Sequence, residues 1–332
     1  MVIIIQDYGT SVTKKSNCLC IKSAKGESEI CINKVKELHI CSACKITSDA
    51  ISLCIKNDVW VVFMDDRGEP EGEILPFSGG CSPIYKRKQL LLQTRTEGII
   101  LIKGFLTEKI TNRLRQLKQI LRNKSNSDTV LYMSTCIKKM EQELKKIDEV
   151  QGNNMEEIRD TLQGYEGTAG RAYFECISYL LPEEMKFSRR TRMAEDVYNG
   201  VLNYLYGILY AKIKQICQKC RLDPYIGIMH VDSYNKPTFV FDFIETQRII
   251  CEEIAFEICS ERMITRADTE HGESVRFLPA AKQLLISKFY EKLNQPCTYR
   301  RKKVTIERRI YLQMGEAAKR IEEVGGDVLA AV

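Results

Sequence analysis

The chain has 332 residues, 44% of them hydrophobic, and a net charge of +6. That apolar share excludes a disordered chain, and the length admits one large or two modest domains. The longest apolar stretch, Val201 to Ala211, is broken by Asn203 and Gly207, which excludes a membrane span of roughly 18 apolar residues.

The chain opens in strand-like texture. Val2-Ile5, Leu19-Ile21, Glu29-Ile32 and Glu37-Ile40 are short runs bounded by Gly, Ser, Asn and Lys, as strands are. Ser48 or Asp49 is placed to cap a short helix. Val59-Met64 reads as a buried strand, followed by a turn at Asp65-Asp66-Arg67-Gly68 and a Pro- and Gly-containing linker from Gly68 to Pro83. From Tyr85 the texture turns helical: Ile110, Leu114, Leu117 and Leu121 recur at three- and four-residue spacing. Asp196 suits the N-cap of a helix carrying Val197, Val201, Leu205 and Leu209, and 240–258 and 280–293 continue the pattern. The expectation is an α+β protein, with a small N-terminal β domain over residues 1–80 and a larger all-α domain over 81–332.

The 14 cysteines lie in many cases among aliphatics, as in Leu53-Cys54-Ile55, where a thiol behaves as a small hydrophobe. Met1-Val2-Ile3-Ile4-Ile5 runs into Gln6-Asp7 without a basic leader. Both features point to a reducing cytoplasm. Two pairs, Cys41/Cys44 and Cys217/Cys220, have zinc-ligand spacing. They fall in different expected domains, so free thiols are the plainer reading.

Charge is unevenly spread. Lys86 to Lys124 carries eleven basic residues against Glu97 and Glu108, and further clusters stand at Arg189-Arg190-Thr191-Arg192 and Arg300-Arg301-Lys302-Lys303. One-sided runs favour a polyanion, although a solvated surface accounts for any one of them alone.

Three histidines exist. His39 sits in an expected strand and reads as structural, and His271 reads as a solvated loop residue. His230 ends the apolar run Ile226-Met229, and Asp242 and Glu245 follow at i, i+3 among aromatic and aliphatic residues. Helical spacing puts those two carboxylates on one face. Acids in such surroundings need a metal, an ion pair or solvent, and the residues alone leave all three open. Glu166, between Gly164 and Gly167, fits either a ligand presented by a tight turn or an acid near a helix start.

Taken in order, Tyr165-Glu166-Gly167, Tyr173-Phe174, Phe187-Ser188 with its arginines, Asp196, Gly227 to His230, Lys236-Pro237 and Asp242 to Glu245 resemble the CRISPR spacer-acquisition integrases. Trp60-Phe63 and Arg67-Gly68 look like that family's N-terminal half. The resemblance implies metal ligands and catalytic residues at Glu166, His230 and Glu245, with Asp242 and Lys236 accessory. It places Arg189, Arg190 and Arg192 toward DNA. The implied cation is Mg2+ or Mn2+, which suits two carboxylates and an imidazole. The implied partners are double-stranded and branched DNA, a second copy in a homodimer, and a small second adaptation subunit. The implied reaction inserts short foreign DNA by attack of a 3′-hydroxyl on a phosphodiester. A stand-alone branched-DNA nuclease with the same site, and a DNA-binding scaffold whose acids are only ion-paired, are the competing readings.

Overall fold

The computed structural model describes residues 1–65, 70–74, 83–270 and 275–325. In chain order the N-terminal part contains β1 (Val2–Ile5), β2 (Ser11–Lys15), β3 (Cys18–Ser23), β4 (Gly26–Cys31), β5 (Glu37–Ile40), β6 (Lys45–Ile46), α1 (Ser48–Lys56), β7 (Trp60–Met64) and β8 (Pro70–Ile74). The helical part contains α2 (Pro83–Leu92), α3 (Thr96–Leu121), α4 (Ser127–Glu149), α5 (Met155–Leu180), α6 (Val197–Lys219), α7 (Thr238–Ile244), α8 (Arg248–Ser260), α9 (Pro279–Asn294), the hairpin β9 (Pro296–Tyr299) and β10 (Lys302–Thr305), and α10 (Ile306–Glu322). The fold is α+β, as expected.

The strands form two four-stranded sheets, ordered β1-β5-β7-β8 and β4-β3-β2-β6. In the first, β1, β5 and β7 run parallel and β8 closes one edge antiparallel. Strand geometry sends alternate side chains to opposite faces. In β7, Val61 enters the core of the β domain while Trp60, Val62 and Met64 join the helical core. One strand thus serves both hydrophobic cores.

Three expectations change. The stretch read as a linker contains β8, which tolerates Pro70 because a proline at the first residue of an edge strand costs no ladder hydrogen bond. The cap of α1 is Thr47, whose hydroxyl accepts from the Ala50 amide. The helical part is not all-α, since β9 and β10 pair ahead of α10. The expected N-cap at Asp196 is present, accepting from the Asn199 amide at 2.8 Å. His271, Arg67-Gly68 and the boundary expected at residue 80 lie outside the described residues.

Glu37 and His39 share one face of β5 and meet the helical body. The Glu37 carboxylate accepts from the His39 ring at 3.0 Å and from the Tyr290 hydroxyl at 2.6 Å, and it pairs with Lys212. Lys212 also pairs with Glu307 of α10 at 2.5 Å. Burial pushes the Glu37 carboxyl up, but His39 and Lys212 outweigh it and hold it far below the usual carboxylate range. His39 is therefore structural, part of a polar lock between sheet and helices.

Candidate active site

Helix α3 sends Lys109 and Arg113 inward, one turn apart, on the same face as Leu106, Ile110, Leu114 and Leu117. Both belong to the basic run expected to meet a polyanion, and the structure buries both. Their i, i+4 spacing within an apolar stripe carried that signal.

Arg113 is held by Glu252 of α8, its Nε donating to the two carboxylate oxygens at 3.1 and 3.0 Å. Tyr206 Oη donates to Glu252 at 2.8 Å, and the guanidinium lies over the Tyr173 ring at 4.7 Å. Burial opposes the charge on both partners. The pairing prevails, holding Arg113 above and Glu252 below their ordinary values.

Lys109 meets two acids. Its ammonium pairs with Glu166 Oε1 and with Glu245 Oε2. Arg248 donates to Glu245 Oε1 at 2.8 Å. Burial pushes the Glu245 carboxyl up, but Arg248 and Lys109 outweigh it and keep it charged well below the usual range. Both Glu245 oxygens therefore face a cation, Oε1 the Arg248 guanidinium and Oε2 the Lys109 ammonium.

Glu166 lies inside α5, so its neighbouring glycines are helical rather than turn-forming. Glu245 stands where α7 gives way to α8. Asp242 and Glu245 have different partners: Glu245 faces Lys109 and Arg248, whereas Asp242 faces the loop that carries His230.

Asp242 is 1% exposed. Its carboxylate accepts from the backbone amides of Ile228, Met229 and His230 at 2.6, 3.1 and 3.0 Å, and from His230 Nδ1 at 2.7 Å. A carboxylate with three amide donors is an acceptor, so Nδ1 donates to it, and in the neutral ring Nε2 then presents its lone pair. Phe241 packs edge-on against the ring, with centroids 5.8 Å apart. The tight loop requires Gly227, where a Cβ would stand 2.5 Å from the His230 carbonyl oxygen and 2.7 Å from Thr238 Cβ.

Among the described residues, no three His, Cys, Asp or Glu side chains are grouped, as they stand, so as to hold a metal ion. The chemistry of the donors nevertheless fits one. Two carboxylates from separate helices share a cation, and an imidazole nitrogen is oriented by a buried carboxylate. Such an acid behind a ligating histidine is the usual means of aiming it.

Beside Glu166 opens a cavity of about 430 Å³ whose lining includes Lys109, Phe174, Phe187, Arg189, Arg190 and Arg248. Arg189 is exposed. Arg190 turns inward, donating to Asn203 Oδ1 at 2.6 Å and Asn199 Oδ1 at 3.0 Å. Arg192 is exposed, away from the cavity lining, and Lys236 is exposed on the loop that follows His230. Lys109, Arg113, Tyr206 and Arg248 are the residues of this centre that sequence reasoning did not single out.

In the two Cys-x-x-Cys pairs, Cys41, Cys44 and Cys220 are free thiols. Cys41 packs against the helical core and Cys44 against the β core, while the Cys217 thiol donates to the Leu222 carbonyl at 3.7 Å.

The family described as CRISPR associated protein Cas1 matches residues 3–291. A CRISPR-associated endonuclease Cas1 from Archaeoglobus fulgidus is 29% identical over 313 residues, covering 90% of each chain. Among solved structures, a casposase bound to its integration product superposes with a TM-score of 0.82 at 21% identity, over 98% of this chain and 92% of the casposase. A Cas6-RT-Cas1–Cas2 complex contains a chain that superposes with a TM-score of 0.78 at 19% identity, over 97% of this chain and 35% of that one. At these identities the two structures establish the shared fold.

Proposed function

The chain belongs to the Cas1 family, and from that membership we propose that it is the DNA integrase and endonuclease of CRISPR adaptation, using a divalent cation held by Glu166, His230 and Glu245. The observation that supports this reading best is the convergence of Glu166 and Glu245 on one cationic position beside an arginine-lined cavity.

The residues divide the work. Asp242 fixes the His230 ring and its proton, leaving Nε2 either to ligate or to take a proton from an attacking 3′-hydroxyl or water. Bound at these ligands, Mg2+ or Mn2+ would supply Lewis-acid polarisation of the scissile phosphate. Arg248 and the Arg113–Glu252 pair hold the surrounding charges in register. Arg189 and Arg192 are free to meet the DNA backbone. Arg190 shapes the loop that presents them. Attack by a strand end joins DNA, and attack by water cuts it. The proposal includes double-stranded and branched DNA as substrate, a homodimer, and a small second adaptation subunit, as the Cas1–Cas2 relative suggests.

Glu166→Ala, His230→Ala and Glu245→Ala are each expected to abolish cutting and joining of a branched DNA in Mn2+ while DNA affinity, measured by fluorescence anisotropy, is kept. Retained activity in all three would contradict the ligand assignment.

A further inference from the structure

Lys109 is 6% exposed, and its ammonium lies on the two carboxylates that the proposed cation requires. Glu166 and Glu245 carry two negative charges, and Lys109 and Arg248 neutralise them. A divalent ion added to that balanced group would leave two uncompensated positive charges in a buried setting, which is strongly unfavourable. One resident cation has to leave. Arg248 is fastened at Glu245 Oε1 and to Tyr210 Oη at 3.1 Å, and its guanidinium lies over the Tyr206 ring at 4.6 Å. Lys109 has a flexible four-carbon stem, is held among the described residues by no group other than the two carboxylates the ion would take, and itself lines the 430 Å³ cavity.

Building on the metal-site reading above, we infer that Lys109 is a resident counter-cation that competes with the divalent ion for Glu166 and Glu245 and, when displaced, moves its ammonium into the arginine-lined cavity to meet a DNA phosphate. Metal and DNA then favour one another's binding through a single side chain. Linkage makes the effect reciprocal: whatever factor DNA adds to metal affinity, metal adds to DNA affinity.

The test is the Mn2+ dissociation constant, read from the electron paramagnetic resonance signal of free Mn2+, with and without a duplex ending in a 3′-dideoxynucleotide. Wild type is expected to bind Mn2+ about tenfold more tightly with the duplex, within the usual range for two coupled ligands. Lys109→Met is expected to bind Mn2+ about tenfold more tightly than wild type without DNA, and to gain less from it. Lys109→Gln, which keeps a donor for the carboxylates, is expected to move the same way and serves if Lys109→Met fails to fold. Metal binding unchanged or weakened in a folded Lys109 variant would overturn the competition. Glu245→Ala and His230→Ala in the Lys109→Gln background separate the two ideas. If neither weakens Mn2+ binding, the ligand assignment itself fails, whatever Lys109 does.

Discussion

At the scale of single residues, the site depends on which atom each acid presents to which partner. Asp242 spends both carboxylate oxygens inside the protein, on three amides and on His230 Nδ1. It is a positioning residue. Asp242→Asn keeps the size but offers an amide N–H where donors already converge, and it no longer holds the ring proton on Nδ1. The joining rate is expected to fall 10- to 100-fold, the usual loss when the group behind a ligand is removed. DNA affinity should persist, and stability should drop by about 1–3 kcal/mol from buried groups left unpaired. Single-turnover kinetics beside thermal denaturation checks both, and an unchanged rate would show that His230 needs no such support. The spacing of Asp242 and Glu245 marked two candidate acids, and the ordered series with Glu166 and His230 carried the family resemblance. The partition between ring support and cation contact was not legible. It depends on where α3 delivers Lys109, and no local pattern around residue 242 carries that information.

At the scale of elements, the β9–β10 hairpin turns through Arg300 and Arg301 with φ of 46° and 66°. Positive φ at both central residues is what a tight two-residue hairpin demands, and Asn-Gly ordinarily supplies it. Side chains with a Cβ are disfavoured there. The hairpin went unseen in sequence for that reason, since Arg-Arg gives no turn signal and Lys302-Lys303 no apolar alternation. Strand β8 was hidden similarly by Pro70 and Gly72. The long helices were legible because their apolar stripes are sustained. Arg301, Lys302 and Lys303 stand exposed at the tip, while Arg300 pairs with Glu316 at 2.9 Å. Replacing Arg300-Arg301 by Asn-Gly is expected to raise stability by about 1 kcal/mol or more through relief of the backbone. It should also weaken DNA binding and make it less steep in salt. Thermal denaturation and anisotropy titrations at several salt concentrations read the two effects. A steeper or unchanged salt slope would place this tip away from DNA.

At the scale of the whole molecule, two cores are joined by β7 and by the Glu37–Lys212–Glu307 lock, so the β sheet and the helices form a continuous body. The centre draws on α3, α5, α7 and α8, elements far apart in sequence, and among the described residues no helix is long and apolar enough to cross a membrane. The chain-order motifs therefore announced the family more clearly than they announced the geometry. In the proposed reaction this body joins a DNA 3′ end to a phosphodiester with a divalent ion at Glu166, His230 and Glu245. The most direct measurement follows a labelled 3′-hydroxyl strand on a branched DNA, with Mn2+, with Mg2+ and with EDTA, beside the His230→Ala protein. A longer, joined strand is expected in a metal lane of the wild-type protein, and neither joined nor cut product with EDTA or the variant. Joining that survives EDTA, or that His230→Ala performs as well as wild type, would contradict the proposed reaction.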